Sequence, residues 1–191
     1  MPKEDWKKNT IYNIFNEKGL YPKGKIVSVL DVACGLSLKS QYLDCDIRVG
    51  IDVYKPYLEK IESKVPFIPV CENVKNISNL FLENSFDIVM ALDVVEHLTK
   101  EDALKLIKDC EKIAKKACII ETPEGFIPQD IDIWGHGGDE YQTHRSGWDS
   151  QEFLDLGYEV ITRSYTMQDI KRHSELDVDT NITLIDAIKL F

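Results

Sequence analysis

The sequence predicts a doubly wound α/β fold, a seven-stranded and mostly parallel sheet with helices on both faces and an antiparallel C-terminal hairpin strand. Three observations predict it. Five short apolar runs rich in β-branched residues follow one another between residues 25 and 121, several of them ending on an acid. Helical periodicity appears between several of these runs. Beyond them come two strand-like runs joined by a polar stretch with no helical pattern. Alternating strands and helices imply right-handed crossovers and a parallel sheet. Two terminal runs with no helix between them imply an antiparallel pair at a sheet edge.

Taken in order, Trp6, Ile11, Ile14 and Phe15 predict an N-terminal helix packed on the sheet edge, within a lead-in over residues 1–24. Residues 25–31 form the first predicted strand and Ile47–Asp52 the second, both closing on an acid. Tyr57, Leu58 and Ile61 follow at helical spacing. Phe67–Cys71, Phe86–Leu92 and residues 117–121 are the third, fourth and fifth strands. The clearest helix covers residues 99–115, with Leu104, Ile107, Ile113 and Ala114 as its buried face and Thr99 with Asp102 as its start. Residues 158–165 and 182–190 are the terminal pair.

A length of 191 residues fits a single domain over 1–191 and can bury a full core without disulfides or metals. Five cysteines, Cys34, Cys45, Cys71, Cys110 and Cys118, are odd in number and contain no C-x-x-C pair, so they read as reduced thiols of a cytoplasmic protein. The N-terminus is charged rather than signal-like, and no run approaches the roughly 20 apolar residues of a membrane span. A formal net charge of −10 repels phosphate backbones and disfavours nucleic acid as a partner. The lysines at 105, 108, 112, 115 and 116 read as a solvated helix face. Oligomeric state is left open.

Ligands of such sheets bind at strand carboxyl ends near the switch in strand order. The first strand ends in Asp31, followed by the small residues Ala33, Cys34, Gly35 and Ser37. A turn of small residues lets a ligand approach the backbone and offers it free N–H groups. Asp52 ends the next strand, about 20 residues on, where an acid accepts hydrogen bonds from ribose hydroxyls. Together these residues describe a nucleoside site with an attached anionic group. Cys34 reads as packing rather than as a nucleophile.

This stretch resembles the first motif of the class I S-adenosylmethionine methyltransferases, whose usual form is Asp-x-Gly-x-Gly-x-Gly, with Ala33 and Ser37 in place of two glycines. The resemblance implies the Rossmann-like methyltransferase fold and S-adenosylmethionine as cofactor. It assigns Asp52, with Val53 beside it, to the ribose, and Asn73 and Val74 to the adenine edge. Residues 85–98, which include Leu92, Asp93, Glu96 and His97, resemble the family's fourth-strand signature, where residues 91–93 lie against the methionine half. Asp31, Ala33, Cys34 and Gly35 complete the expected cofactor set. Glu96 and His97 read first as the lead into a helix.

Residues 123–148 show no clear periodicity yet hold Trp134, His136, Tyr141, His144, Arg145 and Trp148, too aromatic for disorder. They predict a substrate-facing lid, with His144 as the first general-base candidate and His97 and His136 behind it; packing of the lid on the sheet competes with that reading. Asp93, His97, His136 and His144 match no standard ligand spacing, so no metal is expected. The expected reaction is in-line methyl transfer to an oxygen or nitrogen of a small or accessible acceptor. Two rivals stay open. A cofactor-binding module that no longer catalyses would explain Ala33 and Ser37. A nicotinamide-dependent oxidoreductase shares the sheet but lacks G-x-G-x-x-G.

Overall fold

The computed structural model describes residues 11–63, 65–166 and 181–191. Among them seven strands form one sheet: β1 (Ser28–Val32), β2 (Ile47–Asp52), β3 (Phe67–Cys71), β4 (Phe86–Leu92), β5 (Ala114–Pro123), β6 (Glu159–Thr166) and β7 (Asn181–Leu190). Their spatial order is β3-β2-β1-β4-β5-β7-β6. The first five pair in parallel, and β7 lies antiparallel between β5 and β6. The predicted fold class is the observed one. Strand order reverses between β1 and β4, which sets the ligand crevice at their carboxyl ends.

The strands stay in the sheet because both faces are covered. Successive side chains of a strand point to opposite faces. Leu30, Ile51, Val89 and Ile120 belong to one buried cluster, and Val29, Ile88, Met90 and Ile119 to the other. On the first face pack α4 (Lys100–Ile113), α6 (Ser150–Asp155) and the turn that leads into α3 (Ile77–Leu80); on the second, α1 (Ile11–Glu17) contributes the fully buried Phe15. Trp6, assigned to the same N-terminal helix, lies outside the described residues, as does the polar stretch 167–180.

Several boundaries differ from expectation, most clearly those of β1, the long helix and β5. β1 begins at Ser28 because the Val27 N–H donates to the Asp87 carboxylate at 2.7 Å instead of to a neighbouring strand. α4 ends at Ile113, and β5 starts at once with Ala114, which pairs with Phe86 before a register shift in the β4–β5 ladder. Thr99 caps α4, its Oγ1 accepting from the Asp102 N–H at 3.2 Å. The buried face of that helix is Ala103, Leu106, Ile107, Cys110 and Ile113. Leu104 is 37% exposed, because at 100° per residue it lies about 120° round from the centre of that stripe.

Cys34, Cys45, Cys110 and Cys118 are buried thiols and Cys71 is exposed. Among the described residues no helix is long and apolar enough to cross a membrane.

Candidate functional site

The turn after β1 alternates in handedness. Ala33 (φ 53°), Gly35 (φ 51°) and Ser37 (φ 54°) are all left-handed, in the register that the usual motif fills with three glycines. The turn is locked from two sides. Asp31 accepts from the hydroxyls of Ser37, at 3.0 Å, and of Ser40. Asp52, from the neighbouring strand, accepts the Gly35 N–H at 2.8 Å and the Tyr54 N–H at 2.8 Å. Burial pushes the Asp31 carboxyl up to about 6 against the pull of those hydroxyls, and burial likewise raises Asp52.

The two non-glycine residues are not equivalent. The Ser37 hydroxyl bonds to Asp31 and offsets its backbone cost, whereas Ala33 has no such bond to offer. A left-handed residue with a Cβ costs about 1–2 kcal/mol, against about 0.5–1 kcal/mol for the added freedom of glycine in the unfolded chain. Ala33→Gly is therefore expected to stabilise the protein by about 0.5–1 kcal/mol. A lower midpoint in urea denaturation would contradict this account of the turn.

Cys34 is part of the turn but not a nucleophile. Burial, with the nearby Asp31 and Asp52 carboxylates, drives its thiol far above the ordinary range. Val53 follows Asp52 at the end of β2. Asn73, at the end of β3, is exposed, and its Oδ1 accepts from the Lys75 N–H at 3.0 Å. Val74 and Leu92 put their side chains into the two halves of the core. All the residues assigned to the cofactor on sequence thus gather at the carboxyl ends of β1 to β4.

Asp93, left-handed at φ 53°, begins a chain of charges unforeseen in the sequence. Lys39 bridges Asp93 and Glu121, and Arg163 bridges Glu121 and Asp186, its Nη2 lying 2.6 Å from Asp186 Oδ1. Glu121 and Asp186 are almost wholly buried. Burial would push Glu121 up, but Lys39 and Arg163 outweigh it and hold the carboxylate low. Burial raises Asp93 in spite of Lys39.

The segment predicted as a lid, residues 123–148, is ordered by Asp132, whose two oxygens accept the N–H groups of Trp134 (2.8 Å), His136 (2.7 Å) and Gly138 (3.1 Å). This sets the Trp134 ring directly on the turn: a Cβ built on Gly35 would lie 2.5 Å from Trp134 Cη2. Tyr57 meets the same ring edge-on, with centroids 4.9 Å apart. Glycine at 35 is thus required twice, for its φ and for the indole above it. The far end of the lid is fastened to the turn after β4, where Glu96 O accepts the N–H groups of Arg145 (2.7 Å) and Ser146 (3.1 Å).

That fastening brings His97 and His144 together, ring centroids 4.7 Å apart. Burial and the neighbouring His144 lower His97 to about 4, and burial lowers His144. Both shifts favour the uncharged imidazole. Glu96 lies beside them, its Oε2 accepting from Thr122 Oγ1 at 2.8 Å; burial and Asp93 raise it to about 8. His136 is not in this group. Its ring faces Tyr57 at 6.1 Å, and its carbonyl accepts from the Tyr54 hydroxyl. The sequence reading passed over Lys39, Glu121 and Thr122, and it gave Glu96 only a lead into a helix. A charged residue in the apolar run Val94-Val95-Glu96 was the one visible signal for that carboxylate.

Residues 30–120 match the family model described as methyltransferase domain. No curated protein matches the sequence. Solved structures share its fold. A SAM-dependent methyltransferase from Archaeoglobus fulgidus is 18% identical with a TM-score of 0.57, over 94% of this chain and 93% of that one. One from Methanosarcina mazei is 16% identical with a TM-score of 0.60, over 95% and 98%. The magnesium protoporphyrin IX methyltransferase of Synechocystis, solved with bound SAM, is 15% identical with a TM-score of 0.55, over 94% and 76%. Residues 30–120 thus match the methyltransferase-domain model, and the chain has the fold of these solved S-adenosylmethionine-dependent methyltransferases.

Proposed function

We propose that the protein transfers the methyl group of S-adenosylmethionine to an oxygen or nitrogen of a small or accessible acceptor. The observation that carries this reading is the turn at 33–37, left-handed at every second residue and tied through the Gly35 N–H to Asp52. Such a turn gives a ligand close access to backbone amides. Each Asp52 oxygen accepts one backbone N–H and keeps a further acceptor direction for a ribose hydroxyl. Asn73 and the Val74 backbone stand ready for the adenine edge, and Leu92 and Asp93 for the methionine half. Asp31 acts through Ser37 and Ser40 as a positioning residue. The residues present therefore fit the cofactor.

Bound S-adenosylmethionine would supply the electrophilic methyl group. In-line displacement asks the protein for alignment and exclusion of water, not covalent chemistry. Trp134 and the lid supply the cover, and His144 and His97 stand ready for an acceptor that arrives with a proton to lose. The net charge of −10 favours an acceptor without a phosphate backbone.

Calorimetric binding of S-adenosylhomocysteine tests the reading. The wild type is expected to bind, and Asp52→Ala to bind at least about tenfold more weakly, about 1.4 kcal/mol. A folded wild type that binds none of it overturns the proposal.

A further inference from the structure

Glu96, His97 and His144 form a cluster at the carboxyl ends of β4 and β5, apart from the turn and Asp52. One potential ligand atom from each residue lies within 4.8 Å of the other two. Their hydrogen bonds fix what each can offer. His144 Nδ1 lies 2.6 Å from the Ile127 carbonyl oxygen, and His97 Nδ1 3.4 Å from that of Thr143. A carbonyl only accepts, so each Nδ1 carries the proton and each Nε2 is left with a lone pair. Glu96 receives the Thr122 hydroxyl on Oε2, which leaves Oε1 as a further acceptor.

A proton shared between Glu96 and one imidazole would satisfy only that pair, whereas a divalent cation satisfies both imidazoles and the carboxylate together. The outer contacts agree with that role. A ligating histidine characteristically donates its other N–H to a carbonyl or carboxylate, and a ligating carboxylate is itself hydrogen-bonded. Both histidines and Glu96 have those partners here. Bonds of about 2.0–2.2 Å in a tetrahedral site separate the ligand atoms by about 3.4 Å, within reach of side-chain rotation from the present spacing. Three protein ligands leave a position open for an oxygen of the acceptor, whose proton the ion would make easier to lose; with the ion bound, His97 and His144 serve as ligands and not as bases.

We propose that Glu96, His97 and His144 bind a divalent first-row transition ion, of the zinc and cobalt class, whose open position takes an acceptor oxygen. The acceptor's place rests on the methyl-transfer reading; binding of the ion does not. Chelator-treated full-length protein is titrated with Co2+ alone, followed by its visible ligand-field absorption, and with Zn2+ alone by calorimetry. One equivalent per chain is expected. His144→Ala and Glu96→Gln are each expected to weaken binding at least tenfold, while His136→Ala and Cys71→Ser leave it unchanged. Raised thermal stability of the wild type with Zn2+, reversed by chelator, supports the site even where a variant fails to fold. Absent Co2+ bands, or bands that persist in both His144→Ala and Glu96→Gln, overturn it. Neither titration contains S-adenosylhomocysteine, so loss of this site leaves the cofactor result standing, and the converse holds.

Discussion

Glu121→Ala is expected to destabilise the protein by about 3–5 kcal/mol, the range for removing one member of a buried ion network. For a chain of this size that is a fall in Tm of roughly 6–20 °C. The carboxylate is buried at the end of β5 and holds two cations at once, Lys39 from the segment after the turn at 33–37 and Arg163 from β6. Without it the Arg163 guanidinium, itself largely buried, and the Lys39 ammonium each lose a buried carboxylate partner. Glu121→Gln preserves the shape and one acceptor, and an intermediate loss is expected. Urea denaturation monitored by circular dichroism measures all three proteins. A loss below about 1 kcal/mol for alanine would show that water screens the network as it does surface pairs.

Gly35→Ala is expected to lose about 2–3 kcal/mol, from two separable sources. The left-handed backbone costs about 1–2 kcal/mol once a Cβ is present. The methyl group would also lie 2.5 Å from Trp134 Cη2 and displace the indole from its edge-on contact with Tyr57, worth about 0.5–1.5 kcal/mol. A double-mutant cycle separates the two. In a Trp134→Ala background, Gly35→Ala should cost the backbone part alone. An unchanged cost there would mean that Trp134 does not rest on the turn. Binding of S-adenosylhomocysteine should fall in Gly35→Ala in both backgrounds, because the methyl group occupies the surface that a cofactor would approach.

Most of the sheet was legible because its signals are local. Phe86–Leu92 is apolar except at Asp87 and buried throughout, and Ile47–Asp52 and Phe67–Cys71 are strands with the predicted bounds. The turn was legible too, since small residues after Asp31 meant a close backbone approach, whereas the left-handed backbone at Ala33, Gly35 and Ser37 emerged only in the structure. Leu104 misled for a physical reason. An apolar residue on the flank of a helical stripe looks the same in sequence as one at its centre.

By itself, the sequence determined the alternation of strand and helix, the antiparallel close, and the gathering of Asp31, Gly35, Asp52, Asn73 and Asp93 at one end of the sheet. These follow from periodicity and chain order, which act over a few residues. Only the tertiary structure decided which distant groups meet. Lys39 reaches Glu121, Trp134 covers Gly35, and His144 comes to His97 and Glu96 while His136 goes to Tyr57. Those pairings depend on how the lid is fastened, through Asp132 at one end and the Glu96 carbonyl at the other. Backbone hydrogen bonds of that kind leave no pattern in the order of side chains.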